Sequence, residues 1–147
     1  MTDLSSLYNA RILELAAGIA PARRLADADA SASAHSKLCG STIAVDLKMA
    51  GDRVADFGQT VKACLLGQAS AAIMAQNIVG TSAAELRQIA GEMRRMLKEN
   101  GPPPTGRWAD LAVLEPVREV KARHTSTLLA FEAVERALDA IEADTPA

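Results

Sequence analysis

The spacing of apolar and polar residues follows three successive patterns along residues 4–49. Apolar residues lie three or four positions apart over 4–19, which predicts an amphipathic helix. Residues 20–37 are rich in Ala, Ser and Asp and poor in bulky apolar side chains, so we predict a polar loop there. From Thr42 the period becomes two, which predicts a strand. Its apolar face consists of Ile43, Val45, Leu47 and Met49.

A glycine-containing turn follows this strand. Gly51 predicts a hairpin, with a second and less regular strand over 53–63. Two registers are compatible with this turn. A three-residue loop places Val45 opposite Phe57, whereas a two-residue loop shifts every pair by one residue. We prefer the three-residue loop because it puts apolar side chains on a shared face, and the broken alternation in residues 56–58 predicts a β-bulge in the second strand.

The remainder of the chain has helical periodicity. Residues 65–80 are apolar on nearly all sides and predict a buried helix. Ser82 and Glu85 have the spacing of a capping box and begin an amphipathic helix that ends at Asn100. Two further helices are predicted, a short one over 108–114 and a last one over 122–142. These elements predict the α+β class, with a small antiparallel sheet at the Gly51 hairpin packed against several α-helices.

Composition and charge narrow the class of protein. A chain of 147 residues is long enough for one core, so residues 1–147 are predicted to form a single domain. The net charge is −2 and the Lys and Arg residues are scattered, which argues against nucleic-acid binding. No apolar run has the length of a membrane span and the first residues lack a signal pattern. We therefore expect a cytoplasmic protein that does not bind membranes and keeps its two cysteines as thiols.

The hairpin is expected to bring the two cysteines together. Cys39 lies opposite Ala63 in the preferred register and opposite Cys64 in the other. Cys64 also begins a helix, where free N–H groups and the helix dipole favour a thiolate. Gly40 leaves room for a ligand, and the Ser41 hydroxyl follows on the same strand face as Cys39. A free cysteine is more often a buried apolar residue, so these residues alone support a reactive site and a core role about equally.

Three segments, in order, resemble the IscU-type scaffold family, which has the fold of the NifU N-terminal domain. They are LCGSTIAVDL, VKACLLGQASAAIM and VREVKARHTSTLLAFEAVERAL, and the early segment LYNARIL is also similar to the first helix of the family. The family pattern is Cys-Gly-Asp before a strand, then Gly-Cys-Ala-Ile-Ser before an Ala/Ser-rich helix, and a third cysteine at the start of the last helix. The resemblance covers most of the chain and implies a small sheet packed against helices, with a role in iron–sulfur cluster assembly.

The resemblance assigns the candidate metal ligands and identifies where this chain departs from them. Cys39 and Cys64 match the first two family cysteines. Ser41 stands at the family's aspartate and Ser126 at its third cysteine. Iron–sulfur clusters prefer thiolate or imidazole ligands, so the two serines are weaker candidates.

Three further positions near these ligands also depart from the pattern. His124 lies two residues before Ser126, one position earlier than the histidine found in some members, and is a candidate third metal ligand. Ala63 replaces the glycine before the second cysteine, and Gly67 replaces the serine three residues after it.

The resemblance implies a scaffold or carrier that accepts sulfur, iron or both on Cys39 and Cys64. Its cargo would be a transient iron–sulfur cluster, [2Fe–2S] in type, and two cysteines from each of two chains could share it. The implied partners are a cysteine desulfurase and recipient apo iron–sulfur proteins. Such a protein is a scaffold and not a turnover enzyme, and we expect a monomer or weak homodimer.

The missing aspartate and third cysteine leave a second hypothesis open. A degenerate member of the family would keep the fold as an interaction or regulatory module. Two thiolates, an imidazole and one oxygen ligand would also suit a tetrahedral Zn²⁺ site.

Overall fold

The computed structural model describes residues 9–37 and 40–144. In these residues a three-stranded antiparallel sheet, in the order β1–β2–β3, is combined with four α-helices, which confirms the α+β class. In chain order the elements are α1 (Ala10–Ala17), β1 (Ala30–His35), β2 (Thr42–Ala50), β3 (Arg53–Lys62), α2 (Leu65–Asn77), α3 (Ala83–Lys98), two 3-10 segments (Gly106–Glu119 and Lys121–Arg123) and α4 (His124–Asp144). Within these described ranges, no helix combines the length and hydropathy needed to cross a bilayer.

The core lies between the inner face of the sheet and the helices. Ile43, Val45 and Leu47 are buried, so the predicted apolar face of β2 is confirmed. Helix α4 packs across β1 and β2, and α2 lies between α1 and α4. Helix α2 buries small and apolar side chains on most of its circumference, which explains why its sequence has no polar face.

Strand β1 corrects the sequence prediction, which placed residues 30–35 in a polar loop. Its residues pair antiparallel with β2, from Ala30 opposite Leu47 to His35 opposite Thr42. The alanines face the core, with Ala34 fully buried, while the serines alternate outward. Alanine is too small to give a recognisable apolar stripe, so pairing with β2 and packing under α4 stabilise this strand more than its own side chains do.

The preferred hairpin register is wrong. Ala50 pairs with Arg53, which leaves a two-residue turn of Gly51 and Asp52. Gly51 has φ +65°, a left-handed conformation that suits the tight turns joining antiparallel strands. The turn therefore selects the register, although the three-residue loop matched more apolar side chains.

A bulge in β3 shifts the register again. Met49 pairs with Val54 but Lys48 pairs with Asp56, so Ala55 is the extra residue. The bulge is confirmed in the predicted strand, one residue before the predicted segment. Beyond it Val45 lies opposite Gln59, and the predicted pair of Val45 with Phe57 does not form.

The predicted helices are present with shifted ends. Helix α3 begins as predicted, because the Ser82 hydroxyl accepts a hydrogen bond from the Glu85 N–H. The predicted short helix is part of a longer 3-10 segment, and α4 begins two residues later than predicted. Helix α1 is described from Ala10, so the predicted residues 4–8 lie outside the described part of the chain.

Candidate functional site

Cys64 lies at the N-cap of α2 and is a free, half-buried thiol. Its backbone is extended (φ −65°, ψ 171°), and its carbonyl accepts the Gln68 N–H at 2.9 Å. Cys64 therefore ends the link from β3 and begins a helix, as the sequence predicts. The Cys64 side chain forms no capping hydrogen bond with the first-turn N–H groups of α2.

Ser41 joins the start of β2 to Cys64. The Ser41 side chain is buried, and its hydroxyl accepts the Cys64 N–H at 3.3 Å. The start of β2 and the start of α2 are thus neighbours in space. Ser41 stands at the aspartate position of the resemblance, and here its oxygen contacts the backbone of a candidate ligand.

Cys39 itself lies outside the described residues, so its meeting with Cys64 stays a prediction. The loop that contains it is closed by the Ser36 N–H, which donates to the Ser41 carbonyl at 2.8 Å. Gly40 has φ +71°, and no atom of the described residues outside its chain neighbours lies within 4 Å of the position that a Cβ would take. The room for a ligand beside Gly40 stays a prediction.

Ser126 is buried in the first turn of α4, beside the first turn of α2. Its hydroxyl donates a hydrogen bond to the Arg123 carbonyl, directly before α4, at 3.2 Å. Its carbonyl oxygen lies 3.2 Å from the position that a Cβ on Gly67 would take. The position of the third family cysteine therefore packs directly against the helix that Cys64 begins.

Two departures from the family pattern compensate for each other. A Cβ at Gly67 would lie 2.8 Å from the Ala63 Cβ, closer than two carbons can approach. The family pattern has glycine at position 63 and serine at position 67. This chain has alanine at position 63 and glycine at position 67. Either arrangement leaves one Cβ out of the contact, so the exchange preserves the close approach of the link from β3 to α2.

His124 is buried at the first residue of α4. Its Nε2 donates to the Val117 carbonyl at 3.0 Å, and because a carbonyl only accepts, Nε2 carries a proton. The ring lines a cavity between the end of α3 and the start of α4, whose described lining includes no residue from 40–67. Only Nδ1 can serve as a metal ligand in this geometry, and the role of His124 as a third ligand stays a prediction.

The donor set in the described ranges is small. Outside Cys39, no group of three or more His, Cys, Asp or Glu side chains lies close enough to hold a metal ion in the part of the chain that the structure describes. His35, the other histidine, is exposed and its Nδ1 lies 3.2 Å from the Thr42 hydroxyl. The described residues thus supply one soft ligand, the Cys64 sulfur.

The sequence prediction missed a buried carboxylate on the outer face of the sheet. Asp46 accepts hydrogen bonds from Arg24 (2.7 Å and 3.3 Å), from the Leu25 N–H (2.9 Å) and from the Ser31 hydroxyl. Burial raises the pKa of the Asp46 carboxyl, but these hydrogen bonds and the Arg24 charge outweigh it, and the pKa lies below its ordinary value. Arg23 and Arg24, adjacent in the segment that was predicted to be a polar loop, were the sequence signal for an acidic partner.

The segment before β1 is therefore packed across the outer face of the sheet. The Arg23 N–H donates to the Gln59 carbonyl at 3.0 Å, and its carbonyl lies 2.6 Å from where a Cβ on Gly58 would be. Glycine is required there because the two backbones touch. Asp46 and its partners are structural, and they lie on the sheet face opposite the core.

Comparison with solved structures identifies the family. The chain is similar to the crystal structure of a nitrogen-fixing NifU-like protein (N-terminal) from Brucella abortus, with 53% identity and a TM-score of 0.94. The alignment covers 97% of this chain and 99% of that one. The chain belongs to the NifU-like N-terminal family. This result confirms the resemblance found in the three sequence segments.

A more distant structure shares the fold of this NifU-like protein. A putative iron–sulfur cluster assembly scaffold protein for the SUF system from Fervidobacterium islandicum is 18% identical, with a TM-score of 0.82, 90% coverage of this chain and 96% of that one. No protein-family model matches the chain. No curated protein matches it either.

Proposed function

We propose that this NifU-like protein is an iron–sulfur cluster assembly scaffold or carrier that accepts sulfur, iron or both on Cys39 and Cys64. The observation that carries the proposal is the free, half-buried Cys64 thiol at the N-cap of α2, in the fold of a 53% identical NifU-like protein. The distant SUF scaffold that shares this fold supports the same role. The protein acts as a carrier and not as a catalyst, in the reducing cytoplasm where thiols persist.

Sulfur transfer to Cys64 needs no oxidant. The Cys64 thiolate attacks the terminal sulfur of a persulfide carried by a cysteine desulfurase. The S–S bond of the donor breaks as a new S–S bond forms at Cys64, and the donor cysteine leaves as a thiolate. Two electrons from an external reductant, a dithiol or an electron-transfer protein, then cleave the Cys64 persulfide, which releases sulfide for the cluster that recipient apo-proteins receive and restores the Cys64 thiol.

The ligand count favours a cluster shared between two chains. A [2Fe–2S] cluster takes four soft ligands, and this chain has two cysteines. The Ser126 hydroxyl donates to the Arg123 carbonyl, and the Ser41 hydroxyl accepts from the Cys64 backbone. Cys39 and Cys64 from each of two chains complete the set, so we expect a monomer without cargo and a weak homodimer with it.

Anaerobic reconstitution tests this proposal. Addition of iron and sulfide to the full chain is expected to give a sulfide-to-iron charge-transfer absorption, with one cluster per two chains by iron analysis and native mass spectrometry. Cys64→Ser abolishes it, whereas the matched variant Ser126→Cys, which adds a thiol at the third family position, lengthens the lifetime of the cluster. Absence of a cluster in both the natural chain and Ser126→Cys contradicts the scaffold role.

Sulfur acceptance has a separate test. Incubation with a cysteine desulfurase and cysteine, followed by mass spectrometry of peptides, is expected to find added sulfur on Cys64 or Cys39. Cys64→Ser removes the signal from its own peptide and leaves any signal on Cys39. Unmodified thiols at both positions contradict the acceptor role.

The hydrogen bonds already formed by the Ser41 and Ser126 hydroxyls support one alternative, an interaction module with a structural zinc ion. Two thiolates and the His124 Nδ1 would then bind Zn²⁺, with one oxygen ligand to complete a tetrahedron. Stoichiometric zinc that reconstitution with iron and sulfide cannot displace, and that His124→Ala weakens, identifies this alternative. Zinc unaffected by His124→Ala contradicts the assignment of that ligand.

A further inference from the structure

A cavity of about 540 Å³ lies at one end of the helical layer, and Cys64 is not among its lining residues. It is formed where the end of α3, the second 3-10 segment and the start of α4 meet. Its lining is Leu97, Lys98, Asn100, Arg118, Glu119, Lys121, His124 and Thr125. The volume falls in the range of about 300–1,000 Å³ that is typical of small-molecule sites. Of the candidate ligands that the structure describes, only His124 lines the cavity, and the three cations of the lining belong to neither the thiol pair nor the ligand set.

The charge of the cavity is opposite to the charge of the protein. Lys98, Arg118 and Lys121 line it together with a single carboxylate, Glu119, which gives three positive groups against one negative, or +2. The whole chain has a net charge of −2. A concave surface of one sign concentrates ions of the other sign, so this cavity attracts anions.

Two of the three cations of the cavity have no ion-pair partner among the described residues. Lys98 and Lys121 form no ion pair with any residue in 9–37 or 40–144, and Arg118 has only Glu115, at 3.7 Å. The Arg118 Nε–H is buried and has no acceptor among the described residues. The guanidinium is therefore incompletely paired within the described residues, and an anion in the cavity would bind its outer N–H groups rather than the shielded Nε–H.

The surroundings of these groups are held in place. The second guanidinium nitrogen of Arg118 donates to the Gly101 carbonyl at 3.0 Å. The His124 ring is fixed by its bond to the Val117 carbonyl. Arg118 and His124 therefore keep their positions without a ligand, which reduces the entropy lost on binding.

We propose that this cavity binds a small multivalent oxyanion, a phosphate compound or a polycarboxylate, through Lys98, Arg118 and Lys121. A single monovalent ion neither fills a space of this size nor balances a charge of +2. Oxygen acceptors match the geometry of a guanidinium, which binds carboxylate and phosphate groups in pairs. The buried Leu97 contributes an apolar surface for the carbon skeleton of an organic anion.

Titration of the full chain with pyrophosphate and, separately, with citrate tests the proposal. Amide NMR spectra are expected to give saturable shifts confined to residues 97–101 and 118–126 with at least one anion, and the tighter one distinguishes a phosphate from a carboxylate source. Lys121→Gln is expected to weaken binding about threefold, and Arg118→Gln about tenfold or more. Lys48→Gln removes an exposed lysine on the sheet and leaves the affinity unchanged.

Three results overturn the proposal. They are shifts that never saturate with either anion, saturable shifts outside the cavity, and an affinity in Lys121→Gln equal to that of the natural chain. Lys121 is exposed, so its variant is expected to fold even where Arg118→Gln does not. Binding of iron or sulfur at Cys64 plays no part in the measurement, so failure here is distinguishable from failure of the scaffold role.

Discussion

Two buried polar residues on the same stretch of chain have opposite roles. Ser41, directly before β2, and Asp46, in the middle of β2, are each about 2% exposed, on opposite faces of the sheet. Asp46 is a charged group that accepts bonds from Arg24, Leu25 and Ser31. Ser41 is neutral and accepts one backbone N–H, that of Cys64.

The difference shows where this fold tolerates a buried negative charge. In the middle of the sheet, donors from two segments converge on Asp46, and the carboxylate is fully paired. At the open end of the hairpin, where the family has an aspartate, Ser41 carries no charge. Among the described residues, the start of α2 depends on close packing more than on ion pairs.

The largest expected effect is the loss of the Asp46 carboxylate. Asp46→Ala leaves the Leu25 N–H without its acceptor, while the mostly exposed Arg24 can turn to water. We expect the free energy of unfolding to fall by about 2 kcal/mol in urea denaturation. Asp56→Ala is the matched control, because Asp56 forms an ion pair with Arg23 on the exposed side of the sheet. Such an exposed pair contributes less than about 1 kcal/mol to the free energy of unfolding. Equal losses in the two variants would contradict the contrast between buried and exposed pairs.

The next effect lies at the packed end of the hairpin. Gly67→Ser forces a Cβ against the Ala63 Cβ and is expected to cost about 1.5 kcal/mol. The double variant Ala63→Gly with Gly67→Ser is expected to recover part of this loss, because one Cβ leaves the contact. Denaturation of the four chains in a double-mutant cycle measures the coupling, and strictly additive losses would remove this explanation.

Acid is expected to weaken the fold through Asp46. Its pKa is lowered in the folded state, so the stabilisation is present above the unfolded pKa of about 3.9 and is lost as the pH falls through the folded pKa. The pKa of Asp56 is lowered as well, chiefly by the hydrogen bond from Arg23, and contributes with the same sign. The free energy of unfolding is measured from about pH 2 to about pH 6. It is expected to fall less steeply with decreasing pH in Asp46→Asn than in the natural chain. An unchanged slope would assign the acid sensitivity to other carboxylates.

The smallest effect is expected at Ser41. Ser41→Ala removes the acceptor of the Cys64 N–H, a bond of 3.3 Å, and is expected to cost about 0.5 kcal/mol. Ser33→Ala, an exposed serine on β1, serves as the control with no measurable change. A loss of stability as large as that of Asp46→Ala would mean that the surroundings of Ser41 and of Asp46 depend equally on polar contacts.

Local patterns predicted the parts of the fold that local interactions determine. The apolar alternation of β2 and the Ser82 cap needed only neighbouring residues. Strand β1 was missed because alanine and serine gave no stripe, and the bulge at Ala55 was placed one residue late because packing fixes its position. The Asp46 contact was missed because its arginine partner lies 22 residues earlier in the chain.

The same distinction applies to the candidate site. The place of Cys64 at the beginning of a helix followed from its immediate neighbours. The direction of the His124 ring did not, because it depends on the Val117 carbonyl, which the preceding 3-10 segment presents. The exchange of Ala63 and Gly67 could be found by comparison with the family pattern, but its cause needed the distance between their Cβ positions.

The contact between positions 63 and 67 also restricts how such proteins can diverge. A change from the family pair to Ala63 and Gly67 by single steps avoids the collision only if both positions are glycine in between. Glycine in a helix interior costs about 1 kcal/mol relative to alanine, so this intermediate is less stable but intact. Proteins that are stable enough to tolerate this loss can pass through the double-glycine intermediate. Marginally stable proteins keep the residue pair that they inherited.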